Sequence, residues 1–458
     1  MRNVYIDKFL GNEAGLLNLR DRITWFIKDF KWDQCDQALK RRAKMCLLDN
    51  LGVTLIGTLA PISWIAAGYA VENWGQGCST ILLNGKKTTA PGAAFANACA
   101  ANALDLDDDA IFTRGHPGAQ LFPAALASAE KCGSGGRELL EALVIGYEIS
   151  IRAGRCWHDR HEIYHSCGSW GSVGCAAVAA HLHRLDPPEI ENALGIAEYH
   201  APNAPMMRDI YNPTMVKHAI GWGAMNGVTS AELAELGFTG MPSILLMEQY
   251  RDWVADLGDR FWMTEWVFYK EWASCAWGHA AGVAVLQLLD QRQIKPEQID
   301  RIRVRTFEEA VRLCQDYPTT TEEAQFSVKW PLACLILDRE LGPEQVLEKR
   351  FSDPEVRNLF DRIELIVDPK VNRLYGEAKE MDLRMHSAVE IFTKDGRSYD
   401  SGIVEREADR YSEADLEKKF RRLGAYVIDP QTIDQLVEMV WNFDQLEDVR
   451  ELTTLLAK

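Results

Sequence analysis

The sequence predicts a mainly α-helical protein, in which a large all-helical domain carries a smaller α+β lid domain. Apolar residues recur at helical spacing through the first half of the chain and again after residue 412, whereas strand-like alternation is confined to the stretch between. A chain of 458 residues exceeds one ordinary core, so two domains are expected. We predict a helical domain from residues 1–268 and 405–458, with residues 269–404 forming the inserted lid.

Helices are predicted most clearly where apolar positions recur every three or four residues, as in residues 37–57 and 136–151. Asp186 and Glu189 flank two prolines and form a capping box, which predicts a helix start. Residues 168–183 are dominated by Gly, Ala and Ser. Small side chains let helices approach closely, so we place this segment at the centre of the helical bundle.

Strands are predicted mainly in the later part of the chain, because the first half contains only one strand-like run, residues 79–83. Alternating apolar positions predict strands at residues 301–306, 363–367 and 389–393. Asp395-Gly396 follows the last of these and is typical of a tight hairpin. Helical stretches near residues 278–291 and 326–341 lie between the strands, which indicates an α+β domain.

Composition excludes several classes of protein. Asp and Glu number 67 against 50 Lys and Arg, a net charge of −17, so a basic nucleic-acid footprint is not expected. Apolar stretches end well before 18 residues, so no membrane span is expected. The eleven cysteines are scattered without a CxxC pair, which favours free thiols in a reducing, cytoplasmic setting.

An acidic run, Asp105–Asp109, precedes a histidine on a restrained backbone. The run is interpreted either as a solvated acidic loop or as part of a site. A calcium loop is excluded because Ala110 replaces the required glycine and His116 the required glutamate, whereas a magnesium site stays open. His116, between Gly115 and Pro117, is a candidate proton donor or acceptor near neutral pH, or a structural loop histidine.

Two further candidates lie at predicted helix starts. His165 precedes the small-residue helix, whose free N-terminal amides favour anions and a neutral imidazole; the alternative is an incidental histidine in a capping segment. Lys217 begins a mostly apolar helix, where its ammonium needs a partner such as a substrate carboxylate. A lysine that extends to solvent is the alternative.

A last cluster falls at the predicted domain junction, where ligand clefts often form. Lys270 and Cys275 lie in this stretch. Cys275 with His279 offers a nucleophile and its base, but a Cys–His pair arises easily by chance, so covalent catalysis is the less favoured interpretation. His181 and His183 resemble half of a metal site. Residues two apart on a helix point in different directions, however, so a surface pair is expected.

These motifs, in this order, resemble the MmgE/PrpD family over residues 36–405. The resemblance is carried by LLDNLGVTLIG, by the Asp-rich loop with its His-Pro, by HSCGSWGSVGCAAVAA, by the helix after Lys217 and by EEAQFSVKWPLACLILD. It implies a helical domain with an α+β lid, a homodimer, and chemistry without a metal or organic cofactor.

The resemblance also implies the site residues. The catalytic residues would be Asp105, His116, His165 and Lys217, and the substrate-binding residues Lys270, Cys275, Asp109 and Trp330. The chain departs from the family pattern where threonine becomes Asp109, histidine becomes Cys275 and tyrosine becomes Trp330. These changes disfavour cis-aconitate decarboxylation. Together with Trp272 and Trp277, Trp330 also predicts a cleft less polar than a tricarboxylate needs.

The implied chemistry is proton transfer at a carbon next to a carboxylate. In the predicted mechanism Lys217 and Lys270 bind carboxylates, His116 and His165 act as base and acid, and Asp105 orients them. A dehydratase-type lyase acting on a small carboxylic acid is the leading prediction. An epimerase or isomerase, a decarboxylase, a non-catalytic carboxylate-binding relative and a metal hydrolase are the alternatives.

Overall fold

The computed structural model describes residues 13–377, 385–406 and 411–456. Helices dominate the part before residue 270: α1 (Glu13–Asp29), α2 (Gln37–Gly57), α3 (Pro61–Asn73), α4 (Ala90–Ala101), α5 (Gly118–Cys132), α6 (Gly136–Arg160), α7 (Cys167–Leu182), α8 (Pro187–Tyr199), α9 (Met206–Ile210), α10 (Ile220–Glu235), α11 (Arg251–Val254) and α12 (Trp262–Trp266). Four short strands join them: β1 (Ser79–Ile81), β2 (Lys86–Thr88), β3 (Asp109–Ala110) and β4 (Val267–Phe268). The prediction of a single strand in this part was therefore incomplete.

Helix α7 forms the centre of the helical part, as its small residues predicted. All of its residues are buried, and it packs against α5, α6, α8 and α10. The packing needs glycine: a Cβ at Gly174 would lie 2.6 Å from the Cβ of Ser150, and one at Gly227 would lie 2.3 Å from the Cβ of Cys175. Even a methyl side chain at either of these two positions would force the helices apart.

Helix α8 begins where its capping box predicted. It starts at Pro187, and the backbone N of Asp186 donates to Oε2 of Glu189 at 2.8 Å. Among the described residues no single helix meets the length and hydropathy that a membrane span requires; α2 and α3 meet them only as a pair, bent by 91° at their junction.

The lid region follows as helices α13 (His279–Arg292), α14 (Glu308–Val311), α15 (Thr321–Gln325), α16 (Lys329–Asp338), α17 (Pro343–Val346), α18 (Pro354–Phe360) and α19 (Pro369–Glu377), with strands β5 (Ile299–Thr306), β6 (Ile363–Val367), β7 (His386–Thr393) and β8 (Ser398–Glu405). The sheet order is β6-β5-β7-β8, parallel between β5 and β6 and antiparallel elsewhere. The three predicted strands and the hairpin are confirmed, and Gly396 takes the left-handed conformation (φ 86°) at the turn. The helix predicted near residues 326–341 is confirmed as α16, which spans Lys329–Asp338.

The chain then returns to the helical part as α20 (Glu413–Gly424), α21 (Pro430–Trp441) and α22 (Arg450–Leu455). Helix α20 packs on α2, where Nζ of Lys419 lies 2.7 Å from Oδ1 of Asp49 and 2.9 Å from the carbonyl oxygen of Leu106. The protein is thus mainly α with a smaller α+β part, as predicted. The domain boundaries at residues 268 and 405 stay a prediction.

Candidate active site

A cavity of about 340 Å³ lies between residues of the helical part and residues of the lid. Its polar wall contains Asp105, Asp109, His116, His218 and Cys275, whereas much of the remaining wall is apolar. A concave, partly apolar site with a few convergent polar groups is the usual form of a ligand site.

A short strand pair positions the buried ion pair of this wall. In β3 and β4, Asp109 pairs with Phe268 and Ala110 with Val267, which brings Lys270 beside the start of the acidic run. Nζ of Lys270 lies 2.8 Å from Oδ2 of Asp105, and both side chains are buried. Burial alone would raise the pKa of Asp105, but Lys270, Lys217 and the nearby imidazoles hold it well below its usual range. Asp105 is therefore ionised.

The rest of the acidic run is also buried, so the solvated-loop interpretation is wrong. Nδ2 of Asn102 donates to both carboxylate oxygens of Asp107, at 3.0 and 3.1 Å. The Gly118 amide donates to Asp108 at 2.9 Å, and the Tyr147 hydroxyl donates to the same carboxyl group. Burial, reinforced by the carboxylate of Asp49, raises the pKa of Asp108 to about 7. These carboxyl groups belong to the protein interior and build the wall on which His116 rests.

His116 is held as a cation. Its Nε2 lies 3.5 Å from Oδ1 of Asp105, and its Nδ1 lies 3.2 Å from Oδ2 of Asp107 and 2.9 Å from the carbonyl oxygen of Asp108. Burial lowers the pKa of His116, but the carboxylates of Asp107 and Asp109 outweigh burial and raise it to about 9. At neutral pH His116 is an imidazolium, able to give a proton.

His218 is the residue that sequence reasoning missed. Its ring stacks on that of His116, with centroids 5.5 Å apart and planes 6° from parallel. Its Nδ1 and its backbone N both lie 2.6 Å from Oδ2 of Asp209, a carboxyl group whose pKa stays below its ordinary value because the contact with His218 outweighs burial. A hydrogen bond of this kind fixes the proton on Nδ1 and leaves Nε2 as the acceptor.

The backbone around His218 explains why it reaches the cavity. Lys217, His218 and Ala219 have φ values of 35°, 56° and 55°, all in the left-handed region. For residues with a Cβ this conformation costs about 1–2 kcal/mol each, and such strain concentrates at functional sites. Asp105 and Arg114, two further residues of the cavity wall, share this conformation.

Lys217 and Lys270 lie near the acidic cluster but are not among the residues that line the cavity. Nζ of Lys217 lies 2.8 Å from Oε1 of Gln325 and 5.0 Å from the ring centroid of Phe326. Lys270 is engaged by Asp105. Both ammonium groups are therefore occupied by protein partners rather than presented to a ligand.

Two predicted site residues contact groups other than those that line the cavity, and their roles at the site stay a prediction. His165 is not among the lining residues: its Nδ1 lies 2.7 Å from the carbonyl oxygen of Ile163 and its Nε2 3.2 Å from Oδ1 of Asn203. Trp330 is fully buried within the lid, where its Nε1 donates to the carbonyl oxygen of Gln345 at 2.9 Å. Their side chains do not reach the cavity.

Two of the other sequence-based alternatives lose support. Cys275 lines the cavity, but burial, reinforced by Asp105, raises the pKa of its thiol to about 12, so it is not a thiolate near neutral pH. Nε2 of His279 lies 3.1 Å from the carbonyl oxygen of Ser274, the residue before Cys275, rather than contacting the thiol. His181 and His183 face different partners, with Nε2 of His181 3.3 Å from Glu141 and Nδ1 of His183 2.9 Å from Glu235.

Asp105, His116 and His218 each offer one donor atom, all within 4.8 Å of one another, which is a spacing that a metal ion would accept. However, Lys270 already neutralises Asp105, and protons already occupy His116. A metal ion would have to displace both. The arrangement fits acid–base chemistry better than metal coordination.

The fold and this cavity define the class of protein. The sequence model of the MmgE/PrpD N-terminal domain matches residues 21–261, and that of the MmgE/PrpD C-terminal domain matches residues 272–445. The chain belongs to the MmgE/PrpD family. It is 28% identical to human cis-aconitate decarboxylase over 91% of this chain and 90% of the relative, and 25% identical to the Mus musculus cis-aconitate decarboxylase over 96% and 94%. It is 23% identical to the cis-aconitate decarboxylase-like protein oryM of Aspergillus oryzae, over 96% and 97%.

Proposed function

We propose that this protein is a lyase that acts on a small carboxylic acid by proton transfer at the carbon next to a carboxylate, with dehydration as the reaction. The observation that carries the proposal is the stacked pair of histidines, His116 and His218, on the wall of a cavity beside the buried Asp105–Lys270 ion pair. One histidine is cationic and the other is oriented by a carboxylate, which supplies an acid and a base at one place.

In this proposal His218 is the base. Asp209 holds the proton on Nδ1, and Nε2 takes the proton from the substrate carbon. The two electrons of the broken C–H bond are first delocalised onto the adjacent carboxylate as an enediolate, and they form the carbon–carbon double bond when the C–O bond breaks. The negative charge that develops on the adjacent carboxylate is offset by the cationic groups around Asp105, including Lys217 and Lys270.

His116 is then the acid. Its imidazolium donates a proton to the β-hydroxyl group, the C–O bond breaks and water leaves. The cation is regenerated when the two histidines return to their starting protonation states through solvent.

Decarboxylation is the second candidate, favoured by the names of the relatives. In that reaction the bond to a carboxylate breaks, carbon dioxide leaves, and the imidazolium of His116 protonates the carbanion. The acid would be shared by both reactions, whereas the base would be needed only for dehydration.

The test incubates the full chain in heavy water with a panel of hydroxy, methyl-substituted and unsaturated carboxylic acids and follows the products by NMR. A new alkene signal with loss of the hydroxyl group supports dehydration. Carbon dioxide release supports decarboxylation, and deuterium incorporation without water loss supports an isomerase. Absence of all three across the panel contradicts the proposal and favours a non-catalytic, carboxylate-binding relative.

A homodimer, the partner implied by the family resemblance, is part of the proposal. Large apolar side chains lie on the surface of the helical part, including Trp64 (61% exposed), Val216 (61%) and Trp222 (49%). An exposed apolar patch of this kind is typical of an association surface. Light scattering on the purified protein measures the mass directly, and a monomer at micromolar concentration contradicts this part of the proposal.

A further inference from the structure

The lining of the cavity combines the His116–His218 pair with six apolar side chains: Met206, Met207, Ile210, Trp277, Phe326 and Met385. Helix α9 contributes the first three and the lid contributes the others. Of the three tryptophans that predicted a less polar cleft, only Trp277 lines it. A substrate whose reacting carbon lies at the His116–His218 pair therefore has apolar side chains available to contact the rest of its body.

The charges on the wall argue against a substrate with several carboxylates. Four acidic residues, Asp105, Asp109, Glu308 and Glu309, line the cavity, against Arg114, Arg312 and the imidazolium of His116. Arg312 is already paired with Glu308. Lys270 likewise neutralises Asp105. Among the described lining residues, Asp109 and Glu309 then remain against Arg114 and the imidazolium of His116, so no cation is in surplus before any substrate enters. Each further buried carboxylate would need a cation that this wall does not supply.

We propose that the substrate is a monocarboxylic acid with an apolar alkyl or aryl substituent, rather than a tricarboxylic acid. This inference rests on the proposed function only for the identity of the site. In this proposal the carboxylate lies beside the His116–His218 pair, and the substituent lies along α9 and Trp277. Removing apolar surface from water strengthens binding about fourfold for each buried methylene group.

Binding of unreactive acids tests this inference without any chemistry. Ligand-observed NMR titrations of the full chain compare butanoate, pentanoate and hexanoate with propane-1,2,3-tricarboxylate. Hexanoate and the tricarboxylate have the same number of carbon atoms, so charge and polarity distinguish them. We expect the Kd of hexanoate to be about fifteenfold lower than that of butanoate, and the tricarboxylate to bind at least about tenfold more weakly than hexanoate.

A charge-inserting variant links the effect to the apolar wall. Met207→Arg places a cation on α9 and is expected to weaken hexanoate binding while strengthening tricarboxylate binding. Met241→Arg is the matched control, because Met241 is an exposed methionine of the helical part that is not among the residues lining this cavity. It should bind both acids as the parent does. Met207→Ala serves if the arginine variant does not fold, and it should weaken hexanoate alone.

The inference is overturned if the tricarboxylate binds more tightly than hexanoate, or if affinity does not change with chain length. Either result would leave the lyase proposal standing, because these ligands do not react. Conversely, a series that behaves as expected in a protein with no turnover on any acid would support the substrate class and contradict the lyase.

Discussion

The buried ion pair between Lys270 and Asp105 should dominate the stability of the site, and Lys270→Met tests it. Both side chains are inaccessible to solvent, with 2.8 Å between Nζ and Oδ2. Removal of one partner from a buried pair commonly costs about 3–5 kcal/mol, because the other charge is left uncompensated. Asp105 has one way to relieve that cost, which is to take up a proton.

Protonation of Asp105 sets an upper limit on the free energy of unfolding that the variant loses. At pH 7 an aspartate of ordinary pKa lies about three pH units from half-protonation, and at about 1.4 kcal/mol per unit neutralising it costs about 4 kcal/mol. In the parent, the pKa of Asp105 in the folded state lies below the ordinary pKa of aspartate. The stability that the charged carboxylate contributes is therefore fully present above the ordinary pKa, and it is lost only as the pH falls through the folded-state pKa. Lys270→Met removes the largest of the positive charges that oppose burial, so we expect the folded-state pKa of Asp105 to rise although Lys217 and His116 remain. The free energy of unfolding that Lys270→Met loses relative to the parent should therefore shrink by up to about 1.4 kcal/mol for each unit that the pH falls between 7 and 5.

Urea unfolding followed by circular dichroism at pH 5, 6 and 7 measures this deficit. The double variant Asp105→Asn/Lys270→Met removes both charges, so it should recover most of the lost stability and lose the pH dependence. Lys28→Met is the surface control, because Lys28 pairs with the exposed Asp186 and should leave stability near that of the parent. A Lys270→Met protein as stable as the parent, or a deficit that does not change with pH, would refute the reasoning.

Three further predictions concern individual side chains. His116→Gln should lower kcat by about 10²–10⁴, and the parent's activity should decline as the pH rises through about 9, where His116 loses its proton; a parental profile that stays flat to pH 10 would contradict the acid role. His165→Ala should keep kcat/KM within about threefold of the parent, because its ring does not line the cavity; a hundredfold loss would restore the sequence-based role. Trp330→Phe loses the hydrogen bond to Gln345 and should lower the free energy of unfolding by about 1–3 kcal/mol with KM unchanged; a raised KM would return Trp330 to the substrate site.

The sheet of the lid was predictable because its signals are local. Alternation in residues 301–306 and the Asp395-Gly396 turn each lie within a few positions, and a strand with one buried face must alternate. The pairing of residues 109–110 with 267–268 has no such signal, since two residues cannot show a period. Yet this pairing brings Lys270 to Asp105.

The candidate site was predictable in part. The resemblance named Asp105, His116 and Lys270, which lie together. His218 was missed although it follows Lys217 directly, because adjacent side chains on a regular helix point about 100° apart and only the left-handed backbone changes that geometry. The burial of the acidic run was not predictable, since its partners, such as Asn102 and Tyr147, carry no pattern that links them to it.

The most direct test of the account is whether His218 removes the substrate proton. His218→Asn keeps a donor for Asp209 but has no basic nitrogen, and deuterium incorporation from heavy water into a substrate reports proton removal alone. We expect exchange to slow by about a hundredfold or more while the variant binds unreactive carboxylates as the parent does. Exchange at the parental rate would show that another group takes the proton and would contradict the central claim.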